Sequence, residues 1–252
     1  MLYNLVVPKL ESQINIDPKE MLETGMHFGH RTSVSHPKMK PFLFGARNGI
    51  QIIDLEKTAE KLKEAIGFIQ GVVKENGKVL FIGTKIQMKK IVEETAKDCG
   101  FPYVAERWLG GTFTNFEVIK KRVTYLKSLQ KQRQEGSLEK YTKKEKAKIE
   151  KEIAGLEKRL GGIADMEKIP EVIFICDMKK DLLAIKEAKI KNVKIVGIAD
   201  VNIDPGLADY VIPANDDAVK SVKYILDKVK EAILQVKPEP REAEPENEDK
   251  ES

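Results

Sequence analysis

Residues 78–116 read KVLFIGTKIQMKKIVEETAKDCGFPYVAERWLGGTFTNF, and their pattern decides the fold. Val79, Leu80, Phe81 and Ile82 form a short run that is apolar at every position, the mark of a strand buried on both faces of a parallel sheet. Gly83 and Thr84 turn the chain, and Thr84 stands where it would cap a following helix. Ile86, Met88, Ile91, Val92 and Ala96 supply an apolar helical face, which Gly100 and Pro102 terminate. Tyr103, Val104 and Ala105 read as a second strand, so the stretch is a βαβ unit. At its exit lies RWLGGTFTNF, residues 107–116, with the only tryptophan of the chain. Aromatic, glycine and hydroxyl residues followed at once by Lys120, Lys121 and Arg122 make a candidate phosphate and RNA contact.

Working outward, a chain of 252 residues is long enough for a large core. At 41% hydrophobic and 33% charged residues it reads as a soluble globular protein unusually rich in charge. The first residues, MLYNLVVPKLESQ, lack the basic start and apolar core of a signal peptide. No run approaches the roughly 18 apolar residues of a membrane span. Cys99 and Cys176 are too far apart in sequence for a metal motif and read as reduced packing residues of a cytoplasmic protein.

The net charge of +4 hides a segregation. Residues 118–160 hold 14 Lys/Arg against 6 Asp/Glu, a local +8, whereas residues 238–252 hold 2 against 7, a local −5. A basic charge gathered into one segment points to a polyanionic partner.

In chain order, Asp17-Pro18 starts a short helix. Residues 25–39 read as an extended loop carrying His27, His30 and His36. The three-residue spacing of His27 and His30 suits a metal, but no further ligand stands nearby, and neutral hydrogen-bonding or RNA-touching imidazoles are the preferred reading. Two apolar runs flank Asn48-Gly49, a tight hairpin. Asp54 leads into a long helix carrying Leu55, Ala59, Leu62, Ile66, Ile69 and Val73. After Asn115, Ile119, Val123 and Leu126 continue helical spacing until Gly136-Ser137. Thr142 and Glu145 form a capping box, and Ile149, Ile153, Leu156 and Leu160 again step four, three, four. Two helices with narrow seams predict a coiled-coil hairpin, projecting as an arm because so thin a seam supports no core of its own. Gly161-Gly162 ends it. Strands at 171–176, 194–199 and 210–212, with helices at 181–191 and 216–236, complete an alternating pattern that implies a parallel sheet covered on both faces. The tail from Pro238 reads as disordered.

RWLGGTFTNF closely resembles a signature of the bacterial family of the second protein of the small ribosomal subunit. GMHFGH (25–30), PKMKPF (37–42), RNGI (47–50) and NDDA (215–218) agree with that family in the same order. The resemblance spans residues 17–236, and the chain departs from the family pattern at Ser35 and His36. It implies a flavodoxin-like, five-stranded parallel sheet of order 2-1-3-4-5 with the coiled-coil hairpin inserted. The domain expectation is one α/β unit over 1–237: an N-terminal helix, loop and hairpin at 17–54, a body at 55–117 and 161–237, the insertion at 118–160, and an acidic tail at 238–252. The implied role is a structural constituent of the ribosome in contact with small-subunit ribosomal RNA and neighbouring proteins, among them the large first protein of the subunit.

An enzymatic alternative exists. Loops at the carboxyl ends of a parallel sheet bind ligands, and Gly83-Thr84-Lys85 with Asp177 and Asp200 suggests a phosphate cradle with magnesium. The Walker spacing is missing, as are a dinucleotide fingerprint, a serine elbow and a reactive cysteine. Helix capping and loop hydrogen bonding account for the two aspartates more simply. The preferred reading therefore has no catalytic residue, metal, cofactor or membrane partner. Its RNA-binding candidates are Lys38, Lys40, Arg47, Lys85, Arg107, Trp108, Thr112, Asn115, Lys120, Lys121 and Arg122, with Trp108 and Phe113 as stacking rings or, equally, loop anchors.

Overall fold

Alternate side chains of a strand face opposite sides of its sheet, and Val79–Ile82 illustrates the consequence. All four residues are buried, but Val79 and Phe81 belong to one apolar cluster and Leu80 and Ile82 to another. Val172–Ile175 splits in the same way. The sheet is thus the partition between two cores, and each needs a layer of helices. The computed structural model describes residues 14–236; the readings made of the first residues and of the acidic tail lie outside them.

The elements run α1 (Pro18–Glu23), β1 (Phe28–Arg31), β2 (Leu43–Arg47), β3 (Ile50–Ile53), α2 (Leu55–Lys74), β4 (Val79–Ile82), α3 (Lys89–Cys99) and β5 (Tyr103–Val104). They continue with α4 (Phe116–Gln134), α5 (Lys143–Leu160), β6 (Val172–Ile175), α6 (Leu182–Ile190), β7 (Lys194–Ala199), β8 (Tyr210–Pro213) and α7 (Val219–Val236). Five strands pair in parallel in the order β5-β4-β6-β7-β8. On one face, α2, α3 and α7 bury Leu62, Ile66, Ile69, Val92, Ile225 and Val229 against the sheet. On the other, α6 contributes Ala184, Ile185 and Ala188.

α4 and α5 share that second face. Ile119, Leu126, Leu129, Ile153 and Leu160 lie in one contiguous cluster with Leu80, Ile82, Ile173 and Ile175. The seam of the helical insertion therefore runs into the core of the body. Tyr125 donates to Glu152 (3.3 Å) and Gln130 to Glu157 (2.7 Å), tying the two helices side by side. Thr142 and Glu145 form the expected capping box. At the exit, Gly162 lies against β5 so closely that a Cβ there would stand 2.3 Å from the Tyr103 carbonyl oxygen. That approach requires glycine.

Two expectations need correction. Residues 25–39 are not all loop: Phe28–Arg31 is a strand, and a second, antiparallel sheet has the order β1-β3-β2. Its half-exposed residues lack the apolar alternation that reveals a strand. Gly29 permits the packing, since a Cβ there would meet a Val201 methyl at 2.6 Å and the Gln51 carbonyl at 3.2 Å. The hairpin between β2 and β3 turns at Asn48 and Gly49, both with positive φ (51° and 75°), as that pair predicts. Secondly, Thr84 does not cap α3. The helix begins at Lys89 after Met88, Thr84 is buried, and Ile86 is 82% exposed instead of lying on the apolar face. Lys85 is held at the carboxyl edge of the sheet, so the chain crosses that edge before a helix can start. Among the described residues no helix is long and apolar enough to cross a membrane.

Candidate nucleic-acid interface

The loop after β5 is organised by a residue that sequence reasoning missed. Glu187, on α6 and only 5% exposed, accepts hydrogen bonds from the backbone N–H groups of Gly111 (2.8 Å), Phe113 (2.9 Å) and Thr114 (3.3 Å). It also accepts from Trp108 Nε1 at 3.2 Å. Burial alone would raise its pKa, but these donors outweigh burial and hold the carboxyl below its usual range. Trp108 is 5% exposed and meets the buried Phe113 edge-on, with ring centroids 5.0 Å apart. Thr112 is buried and donates to the Leu109 carbonyl. The signature loop thus turns Trp108 and Phe113 inward, and both are anchors. It leaves Arg107 and Asn115 exposed, with Asn115 at the N-terminus of α4.

A second constellation lies where β4, β6, β7 and β8 end. The Lys85 ammonium, with its side chain 15% exposed, reaches Asp216 (2.7 Å), Asp217 (2.8 Å) and Asp177 (2.9 Å). Burial opposes its charge, but the three carboxylates outweigh it and raise the lysine pKa. For Asp216 burial wins, reinforced by the charge of Asp177, and its pKa is pushed up to about 7. Hydrogen bonding to Lys85 lowers that of the more exposed Asp217. Asp181 accepts from Thr84 Oγ1 at 2.9 Å, and burial pushes it up to about 6. His30 connects β1 to this edge, with Nδ1 3.2 Å from Asp200 and Nε2 3.4 Å from Asp217. A cavity of about 240 Å³ opens here between His30, Lys85, Asp177, Lys180, Asn202 and Asp216.

That edge does not suit a phosphate. Of the three lysines that line the cavity, Lys85 is already shared by three carboxylates and Lys180 Nζ donates to the Thr84 carbonyl, while buried Asp181 and Asp200 add to the acidic side. Asp177 behaves as a loop residue too, its Oδ1 accepting from Lys180 N at 2.8 Å. Burial pushes the Cys176 thiol pKa far up, as befits a packing residue. Burial lowers the His27 pKa, its ring lies 3.9 Å from that of Phe28, and its buried Nδ1 has no hydrogen-bond partner among the described residues. Among the described residues no group of three or more His, Cys, Asp or Glu side chains is arranged to hold a metal ion.

The remaining candidates lie on the surface. Lys40 and Arg47 are exposed on the N-terminal segment, and Lys38 reaches Asp204 at 2.6 Å. On α4, Lys121 and Arg122 are exposed, and Lys120 is half-buried with its ammonium 5.0 Å from the Phe116 ring centre. Apart from the half-buried Lys120, the expected residues therefore fall into two groups. Lys38, Lys85, Trp108 and Thr112 are engaged within the protein, whereas Lys40, Arg47, Arg107, Asn115, Lys121 and Arg122 are presented outward. Only the position of Glu187 marked it in advance: it stands three residues after Ala184 on the buried side of α6, a charge facing a glycine-rich loop.

A parallel sheet, an inward-turned RWLGGTFTNF loop and a basic helical pair are one arrangement, and a single family description covers all three. The family model described as ribosomal protein S2 matches residues 21–236, from α1 to the end of α7. The chain belongs to the ribosomal protein S2 family.

Proposed function

We propose that this chain is a structural constituent of the small ribosomal subunit that binds ribosomal RNA through the cations its fold leaves unpaired, and that it catalyses no reaction. The observation that carries this reading is the charge of the helical insertion, 14 Lys/Arg against 6 Asp/Glu over residues 118–160. Surface helices stabilised by their own ion pairs balance their signs; this pair does not. Lys121, Arg122, Lys143 and Lys144 are all exposed on it. RNA is a polyanion recognised largely by shape and phosphate contacts, which such a surface suits.

In this reading residues 118–160 are a coiled-coil arm on a flavodoxin-like body of order 2-1-3-4-5, formed by 55–117 and 161–237 with 17–54 added at the carboxyl edge. Lys40, Arg47, Arg107, Asn115, Lys121 and Arg122 touch RNA, with Lys120 beside them. Lys38, Lys85, Trp108 and Thr112 hold the presenting loops. Neighbouring proteins of the subunit, including its large first protein, are further partners, and the site of work is the ribosome. The enzymatic alternative loses its cradle, because Lys85 is saturated by carboxylates.

The test is the salt dependence of binding to small-subunit ribosomal RNA. Replacing Lys121, Arg122, Lys143 and Lys144 with glutamine preserves helix propensity. The log–log salt slope should then fall by about 3, at roughly 0.7–0.9 counterions per phosphate contact. An unchanged slope and affinity would remove the arm from the RNA interface.

A further inference from the structure

The small antiparallel sheet carries features that the fold does not use. Residues 25–53 contain Arg31, Lys38, Lys40 and Arg47 and no Asp or Glu. Among the described residues Lys38 has a carboxylate partner, and Arg31, Lys40 and Arg47 have none. Across the sheet, Arg31 of β1 and Arg47 of β2 both pair in register with Ile50 of the central β3. Directly opposed residues of antiparallel strands share a face. The three side chains therefore form a row, cation–apolar–cation, whose ends stand two strand spacings or about 10 Å apart. All three are exposed.

Three residues before Arg47 on the same strand stands an aromatic ring that belongs to neither hydrophobic cluster. Leu43 pairs with Ile53 and Gly45 with Ile52, so Phe44 is an extra residue in the edge strand with no partner across from it. Such a bulge re-aims one side chain out of the regular pleat. The Phe44 ring is 82% exposed, while Trp108 and Phe113 are buried. Burying phenylalanine is favourable by about 1.5–3 kcal/mol, and this one is left in water three residues from an unpaired arginine.

We propose that Phe44 is a stacking platform for an unpaired base of RNA, with Arg31 and Arg47 on the phosphates to either side. This rests on the RNA-binding reading above and names the conformation recognised there: a single-stranded or bulged nucleotide. Duplex is not recognised at this site, because its bases are already stacked. Charge complementarity selects RNA over a protein partner, since three unpaired cations in an acid-free segment match a polyanion. The aromatic supplies what phosphate contacts lack, an affinity independent of salt.

The experiment uses the full chain and small-subunit ribosomal RNA transcribed in vitro, together with a mixed-sequence single strand and a perfect duplex of equal length. Phe44→Ala should weaken binding to ribosomal RNA and to the single strand by roughly 5- to 150-fold, the loss of one stacked base. Its salt slope should stay that of the wild type, and duplex binding should be unchanged. Arg47→Gln should instead lower the slope by about 0.7–0.9. Phe44→Trp should retain affinity, and its exposed indole should be quenched by the single strand. Melting of each variant gives the control for folding, which an exposed ring leaves intact. Equal affinity of wild type and Phe44→Ala for ribosomal RNA would overturn the platform while leaving the RNA-binding reading in place. Loss of affinity without quenching in Phe44→Trp would also overturn it. No binding of ribosomal RNA by the wild type would overturn both.

Discussion

Glu187 offers the sharpest test of how the RWLGGTFTNF loop is built. Glu187→Gln keeps size and one acceptor oxygen but places an NH2 group among donors. In the wild type three backbone N–H groups and the indole N–H converge on the carboxylate, two of them at 2.8 and 2.9 Å. A hydrogen bond to a charged group is worth about 1.5–3 kcal/mol. With a further contact from the Thr114 hydroxyl at 3.4 Å, the bonds on this one carboxylate do not add, and glutamine still accepts some of them. The expected destabilisation is therefore about 3 kcal/mol. For a domain of this size that is a drop in Tm of about 6–12 °C. Urea and thermal unfolding followed by the fluorescence of Trp108 would measure it where the bond is made. The sign of the pH dependence is a second check. The Glu187 carboxyl is depressed in the folded state, so its contribution is complete above the unfolded value of about 4.3 and is lost as pH falls toward the folded one. The gap between wild type and variant should narrow below about pH 4. A loss under about 1 kcal/mol at neutral pH would show that the loop holds itself, and would refute this account.

Two other changes probe the carboxyl edge. Lys85→Met should cost about 3–5 kcal/mol at neutral pH, because it removes the one ammonium that Asp177, Asp216 and Asp217 share; a urea midpoint equal to wild type would show that the lysine is not their counter-ion. Asp181→Asn should stabilise. With a folded value of about 6 against about 3.9 unfolded, the buried carboxylate makes the wild type lose stability as pH rises through that window. The asparagine variant should therefore gain about 3 kcal/mol near pH 8, and the gain should vanish near pH 4. A less stable variant at pH 8 would mean that the charge is compensated in the fold.

The two runs VLFI and VIFI were legible as central strands because burial on both faces leaves no room for a polar residue. The capping box and the Asn-Gly turn were legible because they are local chemistry. What could not be read were partners distant in the chain. Glu187 meets its loop across more than seventy positions, from Gly111 to Glu187, and Asp216 and Asp217 lie further still from Lys85. The chain at 83–88 looked like the first turn of a helix because spacing records periodicity and not an ammonium drawn to three carboxylates. β1 escaped notice because its faces are half wet. Trp108 was open between base stacking and anchoring, and burial decided it.

Gly162 stands at the rim of the parallel sheet, where β5 is the last strand. Pro102 and Val104 give their carbonyls to β4, so the carbonyl of Tyr103 points off the rim of the sheet. A bare rim invites another strand and, with it, aggregation. Here the rim is roofed by the chain emerging from the helical insertion, at a point where only hydrogen fits beneath it. The turn that leaves the helical insertion thus covers part of the edge strand that another chain would otherwise pair with. An alanine at position 162 would have to push that turn off the rim, because its Cβ would stand 2.3 Å from the Tyr103 carbonyl oxygen.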